Sequence, residues 1–488
     1  MNYMIGIDIG TTHLKACLLD EELTIVNLAR ADNRAEVSQE YGNCYDPEKF
    51  WDRVICLLKK IVPSEGKISA IGITGMADTG LPVDERGTPL HPIIPWNCCC
   101  GSESRKKILD RFPPEQLYDI TGLPYHPKFA ISRILYLWET QPEIMQKMRY
   151  WLSIYDYTLY RLTGEFVTDE TQACRTMLFN IHNREWESPL TDFAGVTGKL
   201  PRVVGMGQIA GTLLPGVAKE LGISAGIPVV CGGHDHLCAM VAAKVGTGEI
   251  FNSQGTSEVF VGFVPNGSDS RQCLKYGICQ GCFRDGKRYW LANLPSSGAS
   301  IEWLRRLMPD ESPVPYRVFD DADRLTDSGG VLYLPMINGS GTPHPNPDNT
   351  GLLLGIRSDT TIYHLVKAIY EGISFETRWI LDSIEEVFGA KIACVVAVGG
   401  GVKNQVLLQT RADVTGRPYS ITPVSELTLY GAAIQAAMAV GFHRGAIGLL
   451  IDHSPAVSPT AGAAENYNSS YEKYRALYRD ISPYLSIR

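Results

Sequence analysis

The stretch MIGIDIGTTHLKACLLD, Met4 to Asp20, decides how the rest of the chain is read. Ile5, Ile7 and Ile9 alternate with Gly6, Asp8 and Gly10, the period of a strand, and a second strand runs from Leu14 to Leu19. The turn between them, Gly10-Thr11-Thr12, has two readings. It is an ordinary hairpin turn, or it is built for an anion. In the second case Gly10 admits a ligand close to the backbone, and Thr11 and Thr12 offer hydroxyl and amide donors beside Lys15. Asp8 stands at the mouth of the turn, where a carboxylate suits a hydrated divalent cation better than a phosphate.

The chain makes the same statement twice. GEIFNSQGTSEVFVGFV, Gly248 to Val264, is again an apolar strand, a turn at Gly255-Thr256-Ser257 and a second alternating strand. In each half a helix then leads to a strand ending in glycine: Pro47 to Ile61 before ISAIGITG, and Thr360 to Phe388 before CVVAVGGG. The unit is too long for a solenoid and its element order repeats, so the expectation is an α/β protein of two related domains facing a cleft, one phosphate-gripping hairpin on each side. The boundary falls near Lys244 to Thr247, giving domains 1–245 and 246–488.

At 488 residues, 44% apolar and 20% charged, the chain has the composition of a globular enzyme with two large cores. A net charge of -8 argues against nucleic acid as a partner. No uncharged apolar run reaches about eighteen residues, the length a spanning helix needs. The most apolar candidate, Gly431 to Ile451, is interrupted by Gln435, His443 and Arg444, so neither a membrane span nor a membrane partner is expected. A strand entered by Met4 leaves no room for a secretion signal, and thirteen cysteines, an odd number spread through apparent core, fit a reducing compartment; the expected location is the cytoplasm. Cys279-Gln-Gly-Cys282 is a single CxxC without a second pair and reads as structural.

Ile227 to Val230 reads as a buried strand that delivers Gly232-Gly233-His234-Asp235-His236 to a loop before a small-residue helix. On the residues alone Asp235 has two roles open to it. A transferase moving a phosphoryl group to a hydroxyl needs one carboxylate to orient and deprotonate the acceptor; a helix that starts there wants an N-cap, which Asp also favours. The triplet Gly399 to Gly401 opening a helix is a natural seat for part of a nucleotide, because its amides are free of side chains. The P-loop and the protein-kinase motif set are both missing. Gly205 to Gly211 misses the dinucleotide-fingerprint spacing and reads as a loop, and His13, His126, His344 and His364 read as surface or loop residues.

From Met4 to about Gly441 these residues resemble the FGGY carbohydrate kinases, which include xylulokinase, glycerol kinase, ribulokinase and fuculokinase. GLLLGIRSDTTIYHLVKAIYE fits the second family signature at Gly351, Gly355, Ile356, His364, Leu365, Ala368 and Glu371. LPYHPKFAISRILYLWE approximates the first, with Arg133 near an expected lysine and the tryptophan displaced to Trp138. The resemblance implies two actin-like, ribonuclease-H-like ATPase domains related by internal duplication, closing over ATP and a sugar by hinge motion near Lys244 to Thr247. It implies that Asp8 lies near Mg2+, that Thr11, Thr12 and Lys15 with Gly255, Thr256 and Ser257 lie near the ATP phosphates, and that Gly400, Gly401 and Asn404 surround the adenosine. Asp235 aligns with the family's general base.

The acceptor side departs from the better-known members. Met76-Ala77-Asp78 stands where xylulokinases carry Gln-Met-His, and Trp96-Asn97-Cys98-Cys99-Cys100 where many members read Trp-x-Asp-x-Arg. His236 replaces the Asn or Gln that usually follows the base, and Ser340-Gly341 replaces a Glu-Arg. Asp78, Trp96, Asn97 and His236 are accordingly expected to form the acceptor pocket. The expected function is ATP-dependent, Mg2+-assisted phosphorylation of a hydroxyl of a small sugar or polyol. Its rivals are a specific xylulokinase or ribulokinase, an actin-like ATPase with no sugar acceptor, and a sugar-binding regulator without catalysis. Assembly as a homodimer is an option that the sequence does not decide.

Overall fold

The computed structural model describes all residues except 39–41, 99, 269–270, 308–314, 322, 423, 425, 443–454 and 487–488. Cys99 and the apolar stretch beyond Phe442 therefore lie outside the described residues. The chain forms two units: Met1–Lys244 with Gln280–Tyr289 and Glu426–Leu450, and Val245–Cys279 with Trp290–Ser425 and Ile451–Arg488.

In the first unit the opening alternation becomes β1 (Asn2–Ile9), which turns at Gly10-Thr11-Thr12 into β2 (His13–Leu19) and continues to β3 (Ile25–Asp32). Helix α1 (Pro47–Ile61) follows, with Pro47 in its first turn and Asp46 as N-cap accepting from the Glu48 and Lys49 amides. Successive strand residues face opposite sides. Ile5, Ile7 and Ile9 therefore share a core with Phe50, Trp51, Val54, Leu57, Leu58 and Ile61 of α1, while Gly6 and Asp8 face the other way. Phe50 is fully buried there, and its truncation to Ala costs about 3 to 5 kcal/mol. The sheet is completed by β4 (Lys67–Gly75), β5 (Ile209–Thr212) and β6 (Pro228–His234), in the order β5-β6-β4-β1-β2-β3. β1 runs parallel to β4, and β4 parallel to β6.

Beyond β6 the chain passes directly into α2 (Asp235–Ala242). No loop separates them: the strand extends through Gly232, Gly233 and His234, which the sequence places in a loop. A register shift between Cys231 and Gly233, with Gly233 at φ +86°, lets the strand continue around Thr171 and Met206, which crowd it where a side chain would stand.

The second unit repeats the plan. β7 (Glu249–Gln254) and β8 (Glu258–Phe263) form its hairpin, β9 (Cys279–Cys282) and β10 (Arg288–Leu294) extend the sheet, and α3 (Gly298–Leu307) follows. The long α4 (Ile362–Phe388) is closed by a reciprocal Thr361–His364 capping box and a left-handed Gly389, and leads to β11 (Cys394–Gly399), α5 (Gln405–Thr415) and β12 (Tyr419–Ile421). The order β9-β10-β8-β7-β11-β12 puts an antiparallel hairpin beside two parallel strands, as β2-β1-β4-β6 does in the first unit. The α/β fold with internal duplication that the sequence implies is the fold observed.

Two segments depart from a single cut after residue 245: Gln280–Tyr289, which spans most of β9 and the start of β10, and Glu426–Leu450 both group with the first unit. Helix α6 (Leu427–Ala439) belongs to the first unit and packs on β1, β4, β6 and α2. Glycines make this close approach possible. A Cβ on Gly6 would meet the Leu429 carbonyl oxygen at 2.5 Å, and one on Gly72 would meet that of Ala432 at 1.9 Å. The helix answers with small residues of its own, Gly431, Ala432, Ala433 and Ala436.

Candidate active site

In the first unit three parallel strands end side by side, and their register sets the site. Asp8 pairs with Thr74 and Thr74 with Gly233; one step further, Ile9 pairs with Gly75 and Gly75 with His234. With neighbouring strands about 4.8 Å apart, Asp8 and the start of α2 stand roughly 10 Å from each other along one sheet end. The Thr74 hydroxyl fixes the row by donating to the Gly233 carbonyl at 2.7 Å.

Asp235 is the first residue of α2, not its cap: His234 is the N-cap residue, and no side chain caps the helix. The Asp235 carboxyl is about a quarter exposed (27%). His234 Nε2 lies 3.3 Å and His236 Nε2 3.9 Å from Oδ1, and the His236 backbone N–H donates to Oδ1 at 2.7 Å. Burial opposes ionisation, but the two imidazoles and that N–H outweigh it and hold the carboxyl below the usual carboxylate range. Burial pushes His234 down to about 3, so at neutral pH its imidazole is uncharged. Asp8 has the opposite setting. Burial and then the Asp235 charge push its carboxyl up to about 7, against the pull of Lys15.

The Gly10-Thr11-Thr12 turn is tied down from three directions. Gly10 N–H donates to the His13 carbonyl (3.1 Å), the Tyr45 hydroxyl to the Thr11 carbonyl (3.1 Å), and the Asn33 amide to the Gly10 carbonyl (2.7 Å). Trp96 reaches it as well, donating its indole N–H to the Thr11 hydroxyl at 3.0 Å while its backbone N–H donates to Thr79 Oγ1 at 3.0 Å. Thr12 is exposed and its hydroxyl pairs with His13 Nδ1 at 2.9 Å. Lys15, expected at the phosphates, is held by Glu426 at 2.6 Å.

Asp78 takes a left-handed conformation (φ +63°), and its buried carboxylate accepts from Arg175 at 3.2 Å. Its other oxygen, Oδ1, is buried with no partner. A buried acceptor in that state is a group prepared for a donor. Trp96 and Asn97 are exposed on the turn above it, and His236 is partly exposed beside Asp235. The structure thus brings Trp96 to the Gly10-Thr11-Thr12 turn and His236 to Asp235, and seats Asp78 on Arg175. Sequence reasoning passed over Arg175 and noted Arg133 only as standing near an expected lysine of the first family signature; Arg133 is fully buried and donates to the carbonyls of Asp78, Lys128, Pro95 (3.1 Å) and Trp96 (2.8 Å). The arginine standing in an otherwise apolar helix was the signal available for Arg133; for Arg175 there was none.

In the second unit Gly255, Thr256 and Ser257 form an exposed turn between β7 and β8. The N-terminal amides of α3 grip it: Gly298 N–H donates to the Gly255 carbonyl (3.1 Å) and Ala299 N–H to that of Thr256 (2.9 Å). Directly behind, Glu258 and Arg411 form a bidentate pair with no appreciable exposure, and Ser297 donates to the same carboxylate. Arg411 lies on α5, so this ion pair joins the turn to the helix that follows the glycine triplet. That triplet leads into a short turn, Gly400–Lys403. A side chain on Gly400 would meet open space, whereas Gly401 is pressed on Gln254. Asn404 caps α5 through its Oδ1 and donates to Tyr370 (2.6 Å) and the Phe319 carbonyl (3.1 Å), so its amide shapes the turn from within.

Models of the FGGY family of carbohydrate kinases match the chain twice, the N-terminal domain over residues 3–242 and the C-terminal domain over 241–440. The glycerol kinase of Thermococcus onnurineus is 30% identical over 457 residues, covering 91% of this chain and 90% of that one. Glycerol kinase 2 of Thermotoga maritima is 27% identical over 458 residues, 91% of each chain. Among solved structures, a xylulose kinase from Lactobacillus acidophilus superposes with a TM-score of 0.89 at 22% identity, covering 99% of both chains. A Plasmodium falciparum glycerol kinase superposes with 0.88 at 21% identity, covering 100% of this chain and 99% of that one.

Proposed function

The chain belongs to the FGGY family of carbohydrate kinases, and on that premise we propose that it transfers the γ-phosphoryl group of ATP to a hydroxyl of a small sugar or polyol, with Asp235 as general base. The observation that carries the assignment is the placement of an ionised Asp235 at the head of α2, flanked by two imidazoles and free of capping duty. A hydroxyl is a poor nucleophile at neutral pH. A carboxylate within hydrogen-bond reach aligns it and accepts its proton as the O–P bond forms. The His236 backbone N–H holds Oδ1 and leaves Oδ2 for the acceptor.

The acceptor is proposed to lie against Asp78, Trp96, Asn97 and His236. Asp78 Oδ1 supplies a buried acceptor for a sugar hydroxyl, and the exposed Trp96 ring supplies an apolar face for its C–H groups. Thr11 and Thr12 in the first unit, and Gly255, Thr256 and Ser257 in the second, are proposed to face the ATP phosphates, with Gly400 and Gly401 at the adenosine and Asn404 supporting them from behind.

Asp8 fits a divalent cation. Its carboxyl is buried, destabilised as an anion and close to a second carboxylate, a setting that a cation relieves. Among the described residues no group of three or more His, Cys, Asp or Glu is arranged to hold a metal. Mg2+ is usually held by one or two carboxylates together with substrate phosphates, so a single Asp8 suits it. When bound, Mg2+ neutralises charge on the phosphate oxygens.

The relatives' names span a polyol, a ketose and a sugar acid, so the acceptor is proposed as a class. Among the described residues no helix is long and apolar enough to cross a membrane. The test is a coupled ADP-release assay across tetritols, pentitols, pentuloses, deoxy-sugars and sugar acids. ADP release that depends on one of these supports the kinase. ATP turnover indifferent to all of them supports the actin-like ATPase instead.

A further inference from the structure

The strand that delivers Asp235 is held at its end by a side chain. Beyond the register shift between Cys231 and Gly233, the His234 backbone N–H donates to the Thr171 hydroxyl oxygen at 2.8 Å. Asp235 is the next residue, so this bond fixes the backbone one step before the base. Thr171 stands in a single helical turn, Glu170–Ala173, whose N-cap is Asp169, and it is fully buried.

The direction of each bond follows from the groups involved. An amide N–H only donates, so the Thr171 oxygen accepts from His234. The hydroxyl directs its own hydrogen to Asp169 Oδ1 at 2.5 Å, and the Thr171 backbone N–H donates to the same oxygen at 2.8 Å. Asp169 thus sets the rotation of the hydroxyl and leaves its lone pair facing His234. Gly233 makes the approach possible, because a Cβ there would stand 2.8 Å from the Thr171 hydroxyl oxygen.

The same segment reaches the acceptor side. Gln172, also buried, donates its side-chain amide to the Gly75 carbonyl at the end of β4 (3.0 Å), and Arg175 donates to the Asp78 carboxylate (3.2 Å). Gly75 and His234 are paired across β4 and β6. The stretch from Asp169 to Arg175 therefore fixes the end of the strand that carries the base, the end of the strand before Asp78, and Asp78 itself.

We propose that Thr171 is a positioning residue for phosphoryl transfer, holding the His234 N–H so that the Asp235 carboxylate stands in line with the acceptor hydroxyl, a role that rests on Asp235 being the base. Thr171 has no exposed surface, so it reaches turnover only through the backbone it holds. Alignment is what it governs, and a misplacement of about 1 Å in a reacting group costs on the order of 100-fold in rate. Binding of ATP and of the acceptor does not depend on it.

The test uses the full chain with ATP and the acceptor that gives the fastest ADP release among the tetritols, pentitols, pentuloses, deoxy-sugars and sugar acids. Thr171→Val keeps the shape and removes the hydroxyl, and Thr171→Ser keeps the hydroxyl. Thr171→Val should lower kcat by about 10- to 100-fold with both KM values within about two-fold, and Thr171→Ser should stay within about three-fold of wild type. On an Asp235→Asn background, Thr171→Val should lower kcat by less than about two-fold more, because no base is left to position. Should Thr171→Val not fold, Thr171→Ala also lacks the hydroxyl, places no extra methyl beside Gly233 and carries the same expectation. A Thr171→Val enzyme with a lower melting temperature but unchanged kcat per folded molecule, or a loss that persists in full on the Asp235→Asn background, overturns the proposal. Near wild-type turnover in Asp235→Asn, or no turnover with any of these acceptors, removes its premise; unchanged kcat in Thr171→Val beside an inactive Asp235→Asn removes the role of Thr171 alone.

Discussion

Trp96 and Thr11 are 85 residues apart in sequence, yet the indole N–H of one donates to the hydroxyl of the other at 3.0 Å. The proposed acceptor wall and the proposed phosphate turn thus share a hydrogen bond. Trp96→Phe keeps the ring and removes the donor, and Thr11→Val keeps the shape and removes the hydroxyl. In a double-mutant cycle on kcat/KM for the acceptor, the two changes should couple by about 1 kcal/mol. Strict additivity would show that the bond plays no part in turnover.

Asp235→Asn keeps the size and the contact with His236 but accepts no proton. Turnover should fall roughly 100- to 10,000-fold, with nucleotide affinity measured by calorimetry unchanged. A folded variant with near wild-type turnover would leave the acceptor base unassigned.

Asp78→Asn preserves a residue type that tolerates the left-handed backbone at φ +63° and replaces an anion with an amide. The lost interaction with an acceptor hydroxyl is worth about 1 to 3 kcal/mol, a rise in acceptor KM of roughly 5- to 150-fold. Nucleotide KM should stay put. If it moves instead, Asp78 lies on the nucleotide side.

Glu258 and Arg411 are buried and bidentate, and their value to the fold is asymmetric. Removing one partner leaves a bare charge in the core, so Arg411→Met or Glu258→Leu alone should cost about 3 to 5 kcal/mol in thermal or denaturant unfolding. The double replacement should cost less than either single change. A double variant as damaged as the sum of both would show that the pair acts through its shape and not its charge.

Glu376 is buried beside Tyr474, whose hydroxyl donates to it, and burial raises its carboxyl to about 7. The folded state thus binds the proton more tightly than the unfolded chain, where an ordinary glutamate titrates near 4.5. The stabilisation is complete below about pH 4.5 and is lost as the pH rises through 7. Melting temperature should therefore fall across that window, and Glu376→Gln, neutral throughout, should flatten this part of the slope.

Local pattern carried much of the fold. The isoleucine alternation read directly as β1, and α1 could be read end to end because Asp46-Pro47 marks its start and its apolar face is regular. Where backbone met backbone the sequence was less legible. Gly232-Gly233 looked like loop residues, whereas they are strand residues whose missing side chains admit the neighbouring chain. The position of Asp235 after a buried strand was visible, but its escape from capping depends on where the strand ends, one residue before it. The tie from Trp96 to Thr11 and that from Arg175 to Asp78 join distant segments, and no periodicity announces such contacts.

Helix α6 closes the first sheet with residues that the ribosome makes long after the strands they cover. Gly6, Gly72 and Gly232 wait for it from the opening half of the chain, and a nascent polypeptide that has reached Lys244 still lacks the cover for one face of β1, β4 and β6. During synthesis that face has to be shielded by something other than its native partner for nearly two hundred further residues. A fragment ending at Lys244 should accordingly need chaperone help or precipitate, and a peptide spanning Glu426 to Phe442 supplied in trans should rescue it.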